Sequence, residues 1–431
     1  MNQETFSRIE REDLTPKQKK VLSLFLEGMA DEDIIIQIDA THRTTVINHI
    51  KNICTKFGIV PEAYSSYRER LLELFVKYKP QVVSSTLLEK YGYITAKPCF
   101  PDKPEPLNSP YYVERTFIEE RCYAILEEPG ALIRVKAPNQ MGKTSLLKRI
   151  IARSKVNDYH TVYLNLSLIE TEKLNNQHIF LRAFYAYFQQ RFPSAPVLTE
   201  WDKDTPLMIQ CTRQFQSLLQ KLDKALVLVL DEVDRLFEYP TLYQNFFPML
   251  RNWHEKANES ETWEKLRLVV AHSTENYGKL DINQSPFNVG IPIQLEEFTL
   301  EQVQNLFYRH GLNREDAIPL MSIIGGHPYL VRLALYHLYH HQVNIQQLLK
   351  DAPTNAGIYK QHLIRHLEVL QVNQELGTVF KQVLSQLRPV IVEKRTIQVY
   401  QLESMGLIKL EGDSVKISCP LYQRYFRDRL N

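Results

Sequence analysis

The sequence of 431 residues predicts an α/β fold, a parallel sheet covered by helices on both faces, preceded by an all-helical unit and followed by a mostly helical one. Three observations carry this expectation. Short apolar or alternating runs at 132–136, 161–166, 225–230, 266–271 and 291–295 are separated by helical stretches such as 177–191. That alternation is how parallel strands joined by crossover helices read. A stretch with five prolines in thirteen residues, 98–110, divides this region from a helical N-terminus. After Thr299 the pattern turns helical, until two short strand-like runs close the chain.

Composition sets the class. Hydrophobic residues make up 44% and charged residues 24%, the balance of a soluble globular protein. A net charge of +2 provides no whole-molecule field for nucleic acid or membrane, so such binding would need a local patch. The five cysteines lie far apart with no CxxC pair, which fits a reducing compartment better than a zinc site or disulfide framework. Residues 1–12 are polar and contain acids, unlike a signal peptide. The strongly apolar run 225–230 is too short to span a bilayer. A cytoplasmic protein with no membrane contact is expected.

Residues 14–57 read as three short helices. Thr15 can cap the first, and Pro16 sits where no N–H is needed. Asp31, Glu32 and Asp33 open the second at its positive end. In the third, about 43–57, Val46, Ile50, Ile53 and Phe57 fall on one face. The proline-rich stretch reads as a stiff linker. The expected division is an N-terminal domain at 1–97, the linker at 98–110, an α/β core at 111–298, a helical lid at 299–358 and a last domain at 359–431.

The strand run 132–136 leads into Ala137-Pro138-Asn139-Gln140-Met141-Gly142-Lys143-Thr144-Ser145 and then a helix. Backbone N–H groups of such a loop, with the helix N-terminus behind them, can cradle phosphates. Lys143 would reach the β- and γ-phosphates and the Thr144 hydroxyl would bind Mg²⁺. The pattern GxxxxGK[ST] has glycine where this chain has Ala137, a replacement that works if φ stays negative. Alone, the run also fits an ordinary strand–turn–helix. A second motif strengthens it: the apolar run 225–230 ends in Asp231-Glu232-Val233-Asp234, acids at the carboxyl edge of the sheet, where open α/β sheets bind ligands. There Asp231 can hold Mg²⁺ through water, and Glu232 can orient and deprotonate an attacking water. Asp234 and Arg235 read as a solvated strand end. Two motifs in this order point to ATP or GTP binding.

The run 266–271 ends in His272-Ser273-Thr274-Glu275-Asn276. In additional-strand ATPases the strand beside the carboxylate strand carries a polar residue that positions water against the γ-phosphate. Ser273 or Thr274 suits that role; both also suit a capped turn. Gly325-Gly326-His327-Pro328 opens an apolar helix, with His327 either capping or packing and Arg332 one turn in as a candidate sensor of the γ-phosphate. Arg251 is either a trans-acting arginine or a solvated helix residue.

Taken together, Tyr112-Val113-Glu114-Arg115, Lys136 to Thr144, Leu230 to Asp234, His272 to Glu275 and Gly325 to Tyr329 resemble the bacterial AAA-like P-loop ATPases common in cyanobacteria, which carry an N-terminal helix-turn-helix of the von Willebrand A–MoxR-associated type. The resemblance implies an AAA+/STAND-like P-loop NTPase core with an additional-strand parallel sheet, then a helical lid and a winged helix. It also implies ATP and Mg²⁺ as cofactors and a protein partner in a conflict or signalling system. In related ATPases an aromatic-Val-Gly-Arg box lines the nucleotide pocket; here it would place Tyr112 and Val113 against adenine and Arg115 near the phosphates, with Glu114 standing where the box has glycine. A plain β-type start to the domain is the alternative.

The N-terminal helices also resemble the DNA-binding unit of LuxR-type regulators. Arg43, Lys51 and Lys56 are the charges between Thr41 and Phe57, with no acid among them, and Thr44, Thr45, Asn48 and His49 could touch bases or phosphates. Against this, residues 1–80 hold twelve Lys/Arg and twelve Asp/Glu, so no basic footprint emerges. DNA contact and protein docking both stay open. The expected function is an ATP-driven molecular switch, with a nucleotide-dependent oligomer conceivable; the rival is an ATP-regulated transcription regulator or scaffold with little hydrolysis.

Overall fold

The computed structural model describes residues 3–59, 64–79, 82–84, 87–88, 97–193, 195–196, 201–202, 204–273, 289–386, 390–391, 396–412 and 414–430. Five strands form one all-parallel sheet: β1 (Leu132–Lys136), β2 (His160–Asn165), β3 (Leu226–Asp231), β4 (Leu266–His272) and β5 (Ile291–Gln294). Their order is β2-β3-β4-β1-β5. β4 therefore lies between β1 and β3, pairing Lys136 with His272 on one side and Leu230 with Val270 on the other.

Side chains alternate across this sheet, as the pleat requires. Leu226, Leu228, Leu230, Leu268 and Val270 face a core shared with the helices Gln177–Arg191, Leu207–Lys221 and Pro240–Glu255. Val227, Val229, Val269, Ala271, Ile133 and Val135 face a second core under Thr116–Glu127 and Lys143–Val156. All six residues of β3 and all seven of β4 are buried. Such strands need apolar residues on both faces, which is why they read as continuous hydrophobic runs rather than alternating ones.

The N-terminal helices have a core of their own, built from Val21, Leu22, Phe25, Ile34, Val46, Ile50, Ile53 and Phe57 with Leu71, Leu72 and Phe75. Thr15 caps Pro16–Leu26 in a reciprocal capping box with Gln18. Asp31–Gln37 and Arg43–Lys56 follow. Beyond Phe298 the helices Leu300–Arg309, Ala317–Ile324, Pro328–Tyr339, Lys360–Val372 and Gln374–Ser385 share a core with β7 (Ile408–Glu411), β8 (Ser414–Ile417) and Pro420–Arg427. With β6 (Val390–Ile391) these strands form an antiparallel sheet, β6-β8-β7. No described helix is long and apolar enough to cross a membrane.

The stretch 98–110, expected to be a stiff linker, lies against its neighbours. The Glu105 N–H donates to Ser145 Oγ at 3.0 Å, Arg149 donates to the Pro106 carbonyl at 3.0 Å, and Phe100 packs edge-on to Tyr336 at 5.3 Å. Proline pre-sets an extended path with few free N–H groups, and such a path can be laid along a surface as readily as across solvent.

Candidate functional site

A cavity of about 540 Å³ opens at the carboxyl edge of the sheet. Its floor is the loop after β1 and the N-terminus of Lys143–Val156. Its far wall is the 98–110 strap with Tyr111, Tyr112 and Val113, and its remaining side is Phe298, Pro328, Tyr329, Arg332, Gln361 and Arg365 from the C-terminal helical region.

The loop turns on Gly142, which caps the helix at φ +97, a left-handed conformation that a side chain would strain. Ala137 is not among the positive-φ residues and is fully buried, so alanine meets no backbone penalty where the motif pattern has glycine. Lys143 is 5% exposed, and its ammonium donates to the loop's own carbonyls, Ala137 at 2.9 Å and Pro138 at 3.2 Å. Burial pulls its pKa down, while Glu232, Asp234 and Asp231 oppose that shift.

The acids meet this loop directly. Thr144 Oγ1 donates to Asp231 Oδ2 at 3.0 Å, Tyr163 Oη donates to the same oxygen at 2.9 Å, and the Glu232 N–H donates to Asp231 Oδ1 at 2.9 Å. Asp231 is fully buried, and all three donors converge on it. Glu232 follows with φ +55, a strained left-handed residue immediately after the strand, and its carboxyl lines the cavity. Desolvation raises the Glu232 pKa, partly offset by Lys143 and reinforced by Asp231 and Asp234.

Not every sequence expectation survives in detail. Asp234 is not a solvated strand end: it accepts the Ser273 N–H at 2.8 Å, tying the ends of β3 and β4 together. Arg235 pairs with Glu238 and donates to Thr171 at 3.2 Å. Ser273 lies on the opposite side of the loop, beside Lys136 and Pro138; Thr274 falls outside the described residues. His327 stands at a helix N-cap position without capping, and packs at 4% exposure. Arg251 is held by Glu255 at 2.7 Å. Arg332 reaches the cavity, but Glu105 takes its Nε at 2.9 Å and its Nη2 at 2.5 Å, and His310 Nε2 lies 2.7 Å from its Nη1. Burial and the Arg332 charge press His310 down to about 3, so the ring is neutral and able to accept.

The aromatic box also departs from a plain adenine wall. Arg149 stacks on the Tyr112 ring at 3.1 Å, the Tyr112 hydroxyl bonds to the buried Glu119, and Val113 is buried in the core of the C-terminal helices. Arg115 donates to the carbonyls of Met141 at 3.2 Å and Glu296 at 3.3 Å, beneath the Phe298 ring. Glu114 is exposed without positive φ, so no glycine is needed there. Glu105, Tyr163, Gln361 and Arg365 escaped the sequence reading, since each becomes part of the site only through packing from a distant segment.

The AAA-like domain family model matches residues 100–428. The chain belongs to the AAA-like domain family. Within this family the match starts inside the strap, not after it. An uncharacterised WD repeat-containing protein of Synechocystis is 23% identical over 350 residues, 74% of this chain, and the chain spans 29% of that protein's length. Among solved structures, the Walker-type ATPase of Pyrococcus abyssi is similar with a TM-score of 0.53 at 14% identity, covering 73% of this chain and 96% of that one. The ORC2 protein of Aeropyrum pernix is similar at a TM-score of 0.44 and 12% identity, over 74% and 93% of the two chains. At such identities the likeness to the Pyrococcus ATPase concerns the fold alone: this AAA-like chain has a P-loop ATPase-like fold.

Proposed function

We propose that the protein binds ATP in the cavity above the loop 137–145 and hydrolyses it, acting as a nucleotide-dependent molecular switch. The observation that carries this reading is the 3.0 Å contact between Thr144 and the buried Asp231, which brings the phosphate-type loop and the acidic strand end onto one site with Glu232 beside them. Loop N–H groups from 140 to 145 and the helix N-terminus would hold the phosphates, with Lys143 moving from its own carbonyls to them. The Thr144 hydroxyl and Asp231 carboxylate are hard oxygen donors suited to Mg²⁺, partly through water. Mg²⁺, when bound, would neutralise charge on the phosphate oxygens. Glu232, with its raised pKa, would orient a water and accept its proton at the carboxylate. Tyr112, Val113, Pro138 and Asn139 complete the site on this reading, with Ser273 as a weaker member.

The finer assignments are part of the same proposal: an additional-strand AAA+/STAND-like core at 111–298, a helical lid at 299–358, a winged helix at 359–431, and a helix-turn-helix of the vWA–MoxR-associated type within 1–97. A conflict or signalling role with a protein partner, and nucleotide-dependent assembly, follow from the resemblance.

A second reading, a nucleotide-regulated DNA-binding regulator with little hydrolysis, draws on one feature. Thr44, Asn48 and Lys51 are exposed along one side of Arg43–Lys56. Its cationic footprint is thin, however. Lys56 donates to Gln18 at 2.8 Å and to the Asp13 carbonyl, and Arg43 pairs with Asp31 at 3.0 Å. Thr45 and His49 are half-buried.

The test is nucleotide titration. Lys143→Ala should weaken ATP binding at least about tenfold, ~1.4 kcal/mol; unchanged affinity in a folded variant would sink the reading.

A further inference from the structure

The fully buried Asp231 carboxylate is held by three donors among the described residues. The Thr144 hydroxyl and the Tyr163 phenol donate to Oδ2, and the Glu232 N–H donates to Oδ1. A carboxylate has about four acceptor positions, so one is left, on Oδ1. The three donors differ in what else they do. The Glu232 N–H belongs to the next residue and moves with the carboxylate it bonds. Thr144 is the hydroxyl that the nucleotide reading gives to Mg²⁺. Of the three, Tyr163 alone reaches Asp231 from another strand and has no part in holding phosphate.

The backbone aims this phenol. Tyr163 stands opposite Val229 in the β2–β3 register, and Asp231 lies two residues further along β3 on the same face. A strand side chain leans along its strand, which carries the ring toward the carboxyl edge and puts Oη 2.9 Å from Asp231 Oδ2. The ring packs, partly buried, against the core beneath Lys143–Val156. β2 is an edge strand, with β3 as its one neighbour in the sheet. Tyr187, from Gln177–Arg191, donates its hydroxyl to the Tyr163 carbonyl at 3.1 Å, so Tyr163 is held by β3 and by Tyr187. Tyr163 is not part of the cavity wall, so its influence on a bound nucleotide runs through Asp231.

We propose that Tyr163 is a positioning residue whose phenol holds the Asp231 carboxylate in the orientation that Mg²⁺ needs, so that metal affinity, and not nucleotide affinity as such, depends on β2. This rests on the nucleotide reading above. With the phenol in place, the Thr144 oxygen can turn a lone pair to Mg²⁺ while its proton stays on Asp231, and the carboxylate does not rotate. Without the phenol, Oδ2 keeps only the Thr144 donor, the carboxylate is free to turn about its Cβ–Cγ bond, and both Mg²⁺ donors loosen together. A tyrosine that merely satisfies a buried charge behaves differently: its loss costs stability and leaves the metal response alone.

The experiment titrates ATP into the full chain, in EDTA and over a series of Mg²⁺ concentrations, at a temperature where melting curves show every variant folded. The proteins are wild type, Tyr163→Phe, Tyr187→Phe and Asp231→Asn. Tyr163→Phe keeps the ring and removes the hydroxyl. It should raise the Mg²⁺ concentration for half-maximal effect about tenfold, with ATP affinity in EDTA near wild type. Tyr187→Phe should keep the wild-type Mg²⁺ response, and Asp231→Asn should lose most of it. The proposal is overturned if Tyr163→Phe responds to Mg²⁺ as wild type does, whatever its melting temperature, or if it loses ATP equally with and without Mg²⁺. It is also overturned if Tyr187→Phe shows the same Mg²⁺ shift, because the phenol's bond to Asp231 would then not be the cause. A Mg²⁺-responsive wild type with an indifferent Tyr163→Phe defeats this assignment alone. A wild type that binds no ATP defeats the nucleotide reading and this assignment with it, and an Asp231→Asn with the wild-type Mg²⁺ response does the same for Asp231 as a metal ligand.

Discussion

The two walls of the cavity are built in different ways. The loop wall comes from two short runs, 137–145 and 231–234, each set at the end of a buried parallel strand. The strap-and-helix wall is assembled from 100–105, 111–115, Phe298, 328–332 and 361–365, pieces that meet only because two helices, two short inter-element segments and a proline-rich segment pack together. In the first wall a few fixed backbone turns aim the functional groups. In the second, ion pairs and rings do so: Glu105 on Arg332, Arg149 on Tyr112, Arg115 under Phe298. On the proposed reading, the loop wall would carry the chemistry and the other wall would enclose it.

The sharpest test of this division is Glu232→Gln. It should leave ATP bound and lower hydrolysis by a factor of about 10², roughly 2.7 kcal/mol of barrier, in a single-turnover assay with unchanged melting temperature. A variant that hydrolyses at the wild-type rate would move the water-activating role elsewhere, and a wild type inactive under all conditions would favour the binding-only reading.

On the other wall, Glu105→Ala should act through stability first. It leaves the buried Arg332 without its carboxylate, at a cost of about 2 kcal/mol once the partial exposure of Glu105 is allowed for. Urea denaturation measures this. A loss near zero would mean that water replaces the carboxylate and that the strap is not a staple.

Acid should also act just behind that wall, at His327. Burial holds His327 at about 4, against 6.5 for an unhindered histidine, so the folded protein keeps it neutral while the unfolded chain binds a proton. Stability from this group is complete above pH 6.5 and is lost as pH falls from 6.5 towards 4, amounting to roughly 2 kcal/mol by pH 5. Lys409 pushes in the same direction. A His327→Gln variant should show a shallower fall in urea midpoint between pH 7 and 5; parallel curves would exclude His327 as the source.

The smallest expected effect concerns the N-terminal helices, outside both walls. If residues on Arg43–Lys56 meet DNA, Lys51→Ala should lower the salt slope of binding by about one, and Lys56→Ala should change it little because Gln18 and the Asp13 carbonyl hold that ammonium. Fluorescence anisotropy at two salt concentrations reads both. Equal effects would show that Lys56 leaves its partners, and no binding at low salt would favour protein docking.

Much of the architecture was legible in the residues. Alternating apolar runs announced the parallel sheet, because strands buried on both faces must be apolar throughout. Gly142-Lys143-Thr144 and Asp231-Glu232 announced the loop wall, because a strand end followed by a tight turn is local geometry that a few neighbouring residues encode. Thr144 and Asp231 were each read as Mg²⁺ ligands, not as direct partners; the further donor to that carboxylate, Tyr163, was not read at all, since nothing in its own strand distinguishes it from a packed tyrosine.

What tertiary structure alone decided is the state of the charges. Five prolines in thirteen residues determine an extended path but not where it lies, and so the sequence could not reveal that Glu105 would be pinned beside Ser145 and take Arg332. Asp234 looked solvated and instead ties β3 to β4; Lys56 looked available and is held. A side chain's charge and spacing are local properties, written in the residues themselves. Whether that charge is free depends on which partner arrives from a segment dozens or hundreds of residues away, and burial then makes the pairing costly to undo.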